Sequence, residues 1–161
     1  MSTRSRAFER TSVVEAPREA VWARIVTPQG INDEMMPVMR MAMPRGVRGL
    51  TVDTVPVGRR IGRCRLFLFG VVPFDHDDLL IAELEPGHRF HERSTMASMR
   101  VWEHERTLTA EAGRRTLVRD RVRFEPRRPL VAVPGLPWLL ERGLALFFAH
   151  RHRKLQRHFA N

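Results

Sequence analysis

Five ionisable residues, Glu92, His104, Arg106, Asp120 and Arg151, are spaced so that chain periodicity turns them all to one side. A carboxylate beside a histidine can act as an acid/base pair, and arginine forks suit carboxylate or phosphate. Residues 98–110 and 114–125 alternate like two paired strands, which puts Trp102, His104, Arg106 and Leu108 on one face. Val118, Asp120, Val122 and Phe124 share the apolar face of the second strand, opposite Arg119, Arg121 and Arg123. Pairing those arginines across the strands with Glu103 and Glu105 leaves His104 and Arg106 facing inward with Asp120. One strand earlier, Phe90 brings Glu92 to the same side. In the last segment, at 100° per residue, Leu140, Leu144, Phe147, Phe148 and Leu155 fall in one arc that also holds Arg151.

Three roles fit this inward set. A buried charge costs several kcal/mol unless it is paired, and the opposite charges present could close on each other as a network tying sheet to helix. The same groups could orient a ligand in an apolar hollow lined by Trp102, Phe124, Leu144, Phe148, Met39 and Met41. His104 could also act as a general acid or base held by Asp120, the two candidates for catalysis. Met39, Met41 and Met43 share one face and suit either an adaptable wall or plain core filling. Phe67 and Phe69 compete with Cys64, Leu66 and Leu68 for the inner face of their strand, and Cys64 reads as a small buried hydrophobe.

Other groupings carry less. His150 and His152 lie about 200° apart on a helix, and no i, i+4 histidine pair exists, so no metal is expected. Asp75, His76, Asp77 and Asp78 read as an acidic turn or the solvated start of a strand. Phosphate loops, dinucleotide fingerprints and nucleophile elbows are absent, so no cofactor is expected. The chain has 161 residues and a net charge of +10, with Lys154 its only lysine, which favours anionic partners at long range. The basic stretch 150–159 lacks interleaved stacking aromatics, and no DNA partner is expected. With one cysteine there is no internal disulfide, which fits a reducing cytoplasm. The most apolar window, 136–149, is interrupted by Glu141 and Arg142, so neither a signal peptide nor a transmembrane segment is expected.

These residues require elements to position them. A weakly alternating strand at 8–15 precedes a helix opening at Pro17, with Val21, Trp22 and Ile25 on one face. Pro28-Gln29-Gly30 is expected to stop it, with a short second helix over 31–36. About six strands follow: 38–43, 63–69, 75–84, 88–96 and the pair already described, closed at Glu111-Ala112-Gly113. Residues 44–58 are expected as loop with a short strand around 50–55, and 126–137 as proline-rich loop. One amphipathic helix, 137–159, ends the chain. Strands flanked by helices imply an α+β fold with an antiparallel sheet in a single domain, 1–161.

The opening SVVEAPREAVWARIVTP, then WEHERTL, RTLVRDRVRFEP and AHRHRKL, resemble in order the START-related, birch-pollen-allergen-like superfamily (SRPBCC). They are most similar to its bacterial branch described as polyketide cyclase-like or ligand-binding. The resemblance implies a helix-grip fold. In it a curved antiparallel sheet of about seven strands wraps a long C-terminal helix, with two short helices after the first strand. It also implies a cavity for lipids, polyketides or other apolar molecules. It transfers no catalytic residue, and the glycine-rich loop of the plant allergens is missing from 44–62. The expected function is therefore binding of a hydrophobic or amphipathic small molecule between sheet and helix, with Arg106 or Arg151 free to meet an acidic group. The alternatives are a cyclase- or dehydratase-like enzyme using the same cavity, and a basic module for ribosome, RNA or anionic membrane. Outward Leu139 and Leu146 offer a face for a homodimer.

Overall fold

The computed structural model describes residues 5–47 and 49–160. Strand β1 (Arg6–Val14) leads into helices α1 (Arg18–Ile25) and α2 (Pro28–Met35), then β2 (Met39–Ala42), β3 (Arg60–Leu68), β4 (Val72–Glu85) and β5 (Arg89–Met96). The hairpin β6 (Met99–Glu111) and β7 (Arg115–Pro126), a short α3 (Arg128–Val131) and the long α4 (Leu136–Phe159) complete it. The seven strands form one antiparallel sheet in the order β1-β7-β6-β5-β4-β3-β2. Register shifts in the β3–β4, β4–β5 and β6–β7 pairs bend it. This is the helix-grip arrangement: a curled sheet closed on its concave face by α4.

The β6–β7 hairpin has the phase its sequence predicts. Trp102 stands opposite Phe124, His104 opposite Val122, Arg106 opposite Asp120 and Leu108 opposite Val118, all eight buried. On the outer face Arg123 pairs with Glu103, and Glu105 lies 3.9 Å from Arg121 and 2.9 Å from Arg89. Arg119 departs from the expected pairing. It turns to Glu9 on β1 at 2.8 Å, because β1 rather than β6 offers the nearer carboxylate.

Four expectations about local structure are corrected. Pro28-Gln29-Gly30 starts α2 instead of merely ending α1, since Thr27 caps it by accepting from the Gly30 amide at 3.0 Å. Gly30 is then pressed against α1, where a Cβ would sit 1.9 Å from the Arg24 carbonyl oxygen. Residues 50–55 form no strand; the Thr51 amide and Thr54 hydroxyl close a turn there at 2.8 Å. The region 126–137 contains α3, and β4 begins three residues before Asp75.

Three apolar clusters result. Val21, Trp22, Ile25, Phe90 and Leu108 gather under α1, Trp102, Phe124 and Phe148 under the middle of α4, and Cys64, Leu79 and Ile81 on β3 and β4. Burial of each such large side chain contributes about 1.5–3 kcal/mol. Cys64 and Leu66 take the inner face of β3. Phe67 therefore lies outward beneath the Arg40 guanidinium, 4.3 Å from its ring centre, and Phe69 is exposed.

Candidate ligand cavity and its polar groups

The three clusters do not close on one another. Between sheet and α4 lies a cavity of about 400 Å³. Of the residues expected at the site, Met39, Met41, Glu92, Trp102, His104, Arg106, Leu144, Phe148 and Arg151 line it, as does Met43. Asp120 and Phe124 do not. Both are fully buried behind the lining. Phe74, which is 47% exposed, also lines the cavity, so the void reaches the surface at the β4 end.

The inward ionisable groups are joined more completely than the sequence indicates, through two residues it did not supply. Arg106 donates from Nε and Nη2 to the two oxygens of Asp120, each at 2.7 Å, and from Nη1 to Glu34 Oε1 at 2.8 Å. Arg151 reaches Glu34 Oε2 from Nη2 at 3.1 Å. His104 Nε2 meets Asp120 Oδ1 at 2.8 Å, and His152 Nε2 meets Oδ2 at 2.7 Å. Asp120 thus accepts four hydrogen bonds, which fills its lone pairs. His152 Nε2 donates to that Oδ2, and its Nδ1 lies 2.5 Å from the Ser12 hydroxyl.

The electrostatics follow from this closure. Burial opposes the charged forms, but the Arg106 charge and its hydrogen bonds, with those of His104, hold the Asp120 carboxyl well below the usual carboxylate range. Burial likewise opposes the Arg106 charge, and the Asp120 and Glu34 carboxylates more than offset it, so Arg106 is raised above its ordinary value. Two carboxylates, Asp120 and Glu34, face two guanidiniums, Arg106 and Arg151. The expectation of a free arginine is therefore corrected: Arg106 is ion-paired with Asp120 and Glu34, and Arg151 is held by Glu34 and stacked 5.0 Å above the Phe148 ring.

Glu92 stands apart from this network. It lines the cavity on β5 and accepts from Ser94 Oγ at 2.8 Å. Beside it on β4 is Asp77, expected in a solvated acidic turn and found 5% exposed in the cavity wall. Asp75 instead ties the β5–β6 turn, accepting from the Ala97 amide at 2.9 Å and from the Ser98 hydroxyl. His150 meets the Met36 carbonyl at 2.9 Å, away from His152. No group of three metal-type ligands occurs among the described residues, and none of their helices is long and apolar enough to cross a membrane.

The fold is shared widely. A START superfamily protein from Mycobacterium smegmatis superposes with a TM-score of 0.65 at 12% identity, over 95% of this chain and 96% of its own. Protein CV1439 from Chromobacterium violaceum gives 0.67 at 15%, over 96% and 98%. The di-domain ARO/CYC BexL of the BE-7585A biosynthetic pathway gives 0.67 at 14%, over 98% of this chain and 51% of that one. At these identities the likeness is one of fold: the helix-grip arrangement that this chain has in common with the START superfamily protein. Curated proteins yield no match. Residues 12–159 match the family model described as Domain of unknown function (DUF8410), and the chain belongs to that family.

Proposed function

We propose that the protein binds a hydrophobic small molecule, a lipid, polyketide or similar, in the cavity between sheet and α4. One observation carries this reading: about 400 Å³ of space with a methionine-rich apolar wall, inside which the strong charges are already mutually satisfied. Sites for small molecules have this size and composition. The soft wall of Met35, Met39, Met41 and Met43 suits a guest of irregular shape. The test is native mass spectrometry of protein purified without denaturation, followed by a thermal-shift screen of fatty acids, sterols and aromatic polyketides. A true ligand at a hundred times its Kd stabilises the fold by about 2.7 kcal/mol. No retained molecule and no shift across the screen would refute the reading.

A second reading, catalysis on the bound molecule, is favoured by His104 alone. Its ring lines the cavity, and Asp120 orients it through Nε2 at 2.8 Å, as a general acid or base requires. The ARO/CYC neighbour makes a cyclase-type reaction the natural one to assay. Asp120 would only position His104, because its four acceptor sites are filled. A His104→Gln variant that binds a turned-over substrate and converts it at the unaltered rate would remove this role.

A further inference from the structure

Resting on the ligand-binding reading above, we propose that Asp77 and Glu92 form the polar recognition point of the cavity, and that they select an uncharged hydrophobic molecule bearing a hydroxyl or carbonyl group over a carboxylate or an ammonium.

The arginines cannot supply that point. A ligand carboxylate seated on Arg151 would have to share its one charge with Glu34, which is 1% exposed, and would leave a buried negative charge in excess. Arg106 has its charge matched already, with three of its five N–H groups spent on two carboxylates. The network is closed.

Asp77 is open. On β4 it follows the phase of Leu79 and Ile81, so its side chain enters the wall of the cavity; its strand neighbours are Cys64 and Met96. Its Oδ1 is buried and has no hydrogen-bond partner. Native proteins seldom leave such an atom unsatisfied without a reason. Glu92 lies on the next strand, 8% exposed, and is held in place by Ser94, whose hydroxyl oxygen also accepts from the Leu80 amide at 3.2 Å. Among the described residues neither carboxyl has a salt bridge. Burial, and then the neighbouring Glu92, push the Asp77 carboxyl well above its ordinary range, toward the protonated form, which both donates and accepts.

The chemistry of the guest follows. A ligand carbonyl accepts from the Asp77 hydroxyl, and a ligand hydroxyl donates to the vacant Oδ1 or to Glu92. A carboxylate arriving here meets two acidic groups and no cation. An ammonium would have to shed its hydration in an apolar wall.

Five probes on one skeleton separate these cases: naphthalene, 2-naphthol, 2-acetylnaphthalene, 2-naphthoate and 2-(aminomethyl)naphthalene, titrated calorimetrically into the full-length protein at pH 7. The expected result is at least tenfold tighter binding of the naphthol and the ketone than of the other three. Asp77→Asn, whose amide also donates and accepts, should keep that preference within about threefold, whereas Asp77→Leu should bind all three neutral probes alike. Equal or tighter binding of the naphthoate or the ammonium to the wild type would overturn the proposal, as would an unchanged preference in Asp77→Leu. The wild-type comparison stands even if Asp77→Leu does not fold. If naphthalene binds and no preference is seen, this inference alone fails; if none of the five binds, the ligand-binding reading fails with it.

Discussion

Replacing Glu34 by glutamine removes the one carboxylate that holds Arg151 among the described residues, while Arg106 keeps Asp120. The amide can still accept one hydrogen bond, but the network loses one of the two carboxylates that face its two guanidiniums. Breaking a buried pair by removing one partner costs about 3–5 kcal/mol. Arg151 is 8% exposed and borders the cavity, so some relief by water places the expectation at the lower end, about 3 kcal/mol. For a chain of this length each kcal/mol lowers Tm by about 2–4 °C, so Glu34→Gln should melt about 6–12 °C below the wild type. Urea unfolding should show the midpoint falling with an unchanged slope. The double variant Glu34→Gln/Arg151→Met leaves one carboxylate facing one guanidinium and should be more stable than the single one, a positive coupling that independent sites would not show. A loss below about 1 kcal/mol, or a double variant whose losses simply add, would refute the argument that these charges act as one closed set. The same single variant also frees Arg151 toward the cavity, so binding of 2-naphthoate should strengthen as stability falls.

Three other perturbations have defined outcomes. Because the Asp77 carboxyl is raised in the folded state, the stability linked to it is fully present below the ordinary aspartate value near ~4 and is lost as pH rises toward the folded value. Asp77→Asn should therefore gain stability relative to the wild type as pH rises above about 4 in urea titrations, and a constant difference would contradict the raised Asp77 carboxyl. Gly30→Ala brings a methyl to 1.9 Å from the Arg24 carbonyl oxygen, which forces α1 and α2 apart and should cost about 1–3 kcal/mol by thermal unfolding. Burial pushes the Cys64 thiol up to about 12, so a disulfide reagent should leave the native protein unmodified at pH 8 and react on unfolding.

How much could be read in advance depended on how sharply each segment fixes its own phase. In β7 three arginines alternate with Val118, Val122 and Phe124, and only one facing satisfies both sets, so Asp120 was legible as an inward charge. Helix α4 is long enough for its apolar arc to be unambiguous, which located Arg151. That arc also reached His152, four residues after Phe148 and three before Leu155, but pairing it with His150 as a metal question hid its place. Asp77 shares a phase with Leu79 and Ile81. The run of acids from 75 to 78 outweighed that alternation and read as solvated. Glu34 offered less: in the eight-residue α2 it stands beside Asn32 and Asp33, and nothing local marks which polar side chain turns in. Glu92 supplied a second inward carboxylate and made the charge balance look complete without it. Only the fold separates the two, tying Glu34 to the arginines and Glu92 to Asp77.

That separation explains how a hollow protein can hold its shape. Cavities opened by mutation cost about 24 cal/mol per Å³, and on that scale a void of about 400 Å³ forfeits on the order of 10 kcal/mol of packing. This matches the whole stability of a typical domain, about 5–15 kcal/mol, so apolar contact alone would favour collapse of α4 onto the sheet. The closed network opposes collapse. Its members come from β1 (Ser12), α2 (Glu34), β6 (His104 and Arg106), β7 (Asp120) and α4 (Arg151 and His152), and their bond lengths set the distance between helix and sheet. A strut of this kind must be saturated, because any vacancy in it would become a ligand site and make its geometry depend on occupancy. Recognition is then left to polar atoms outside the strut. Among the described residues, the buried carboxyl oxygen without a partner is Asp77 Oδ1, in the cavity lining on β4, two strands from the β6 members of the strut.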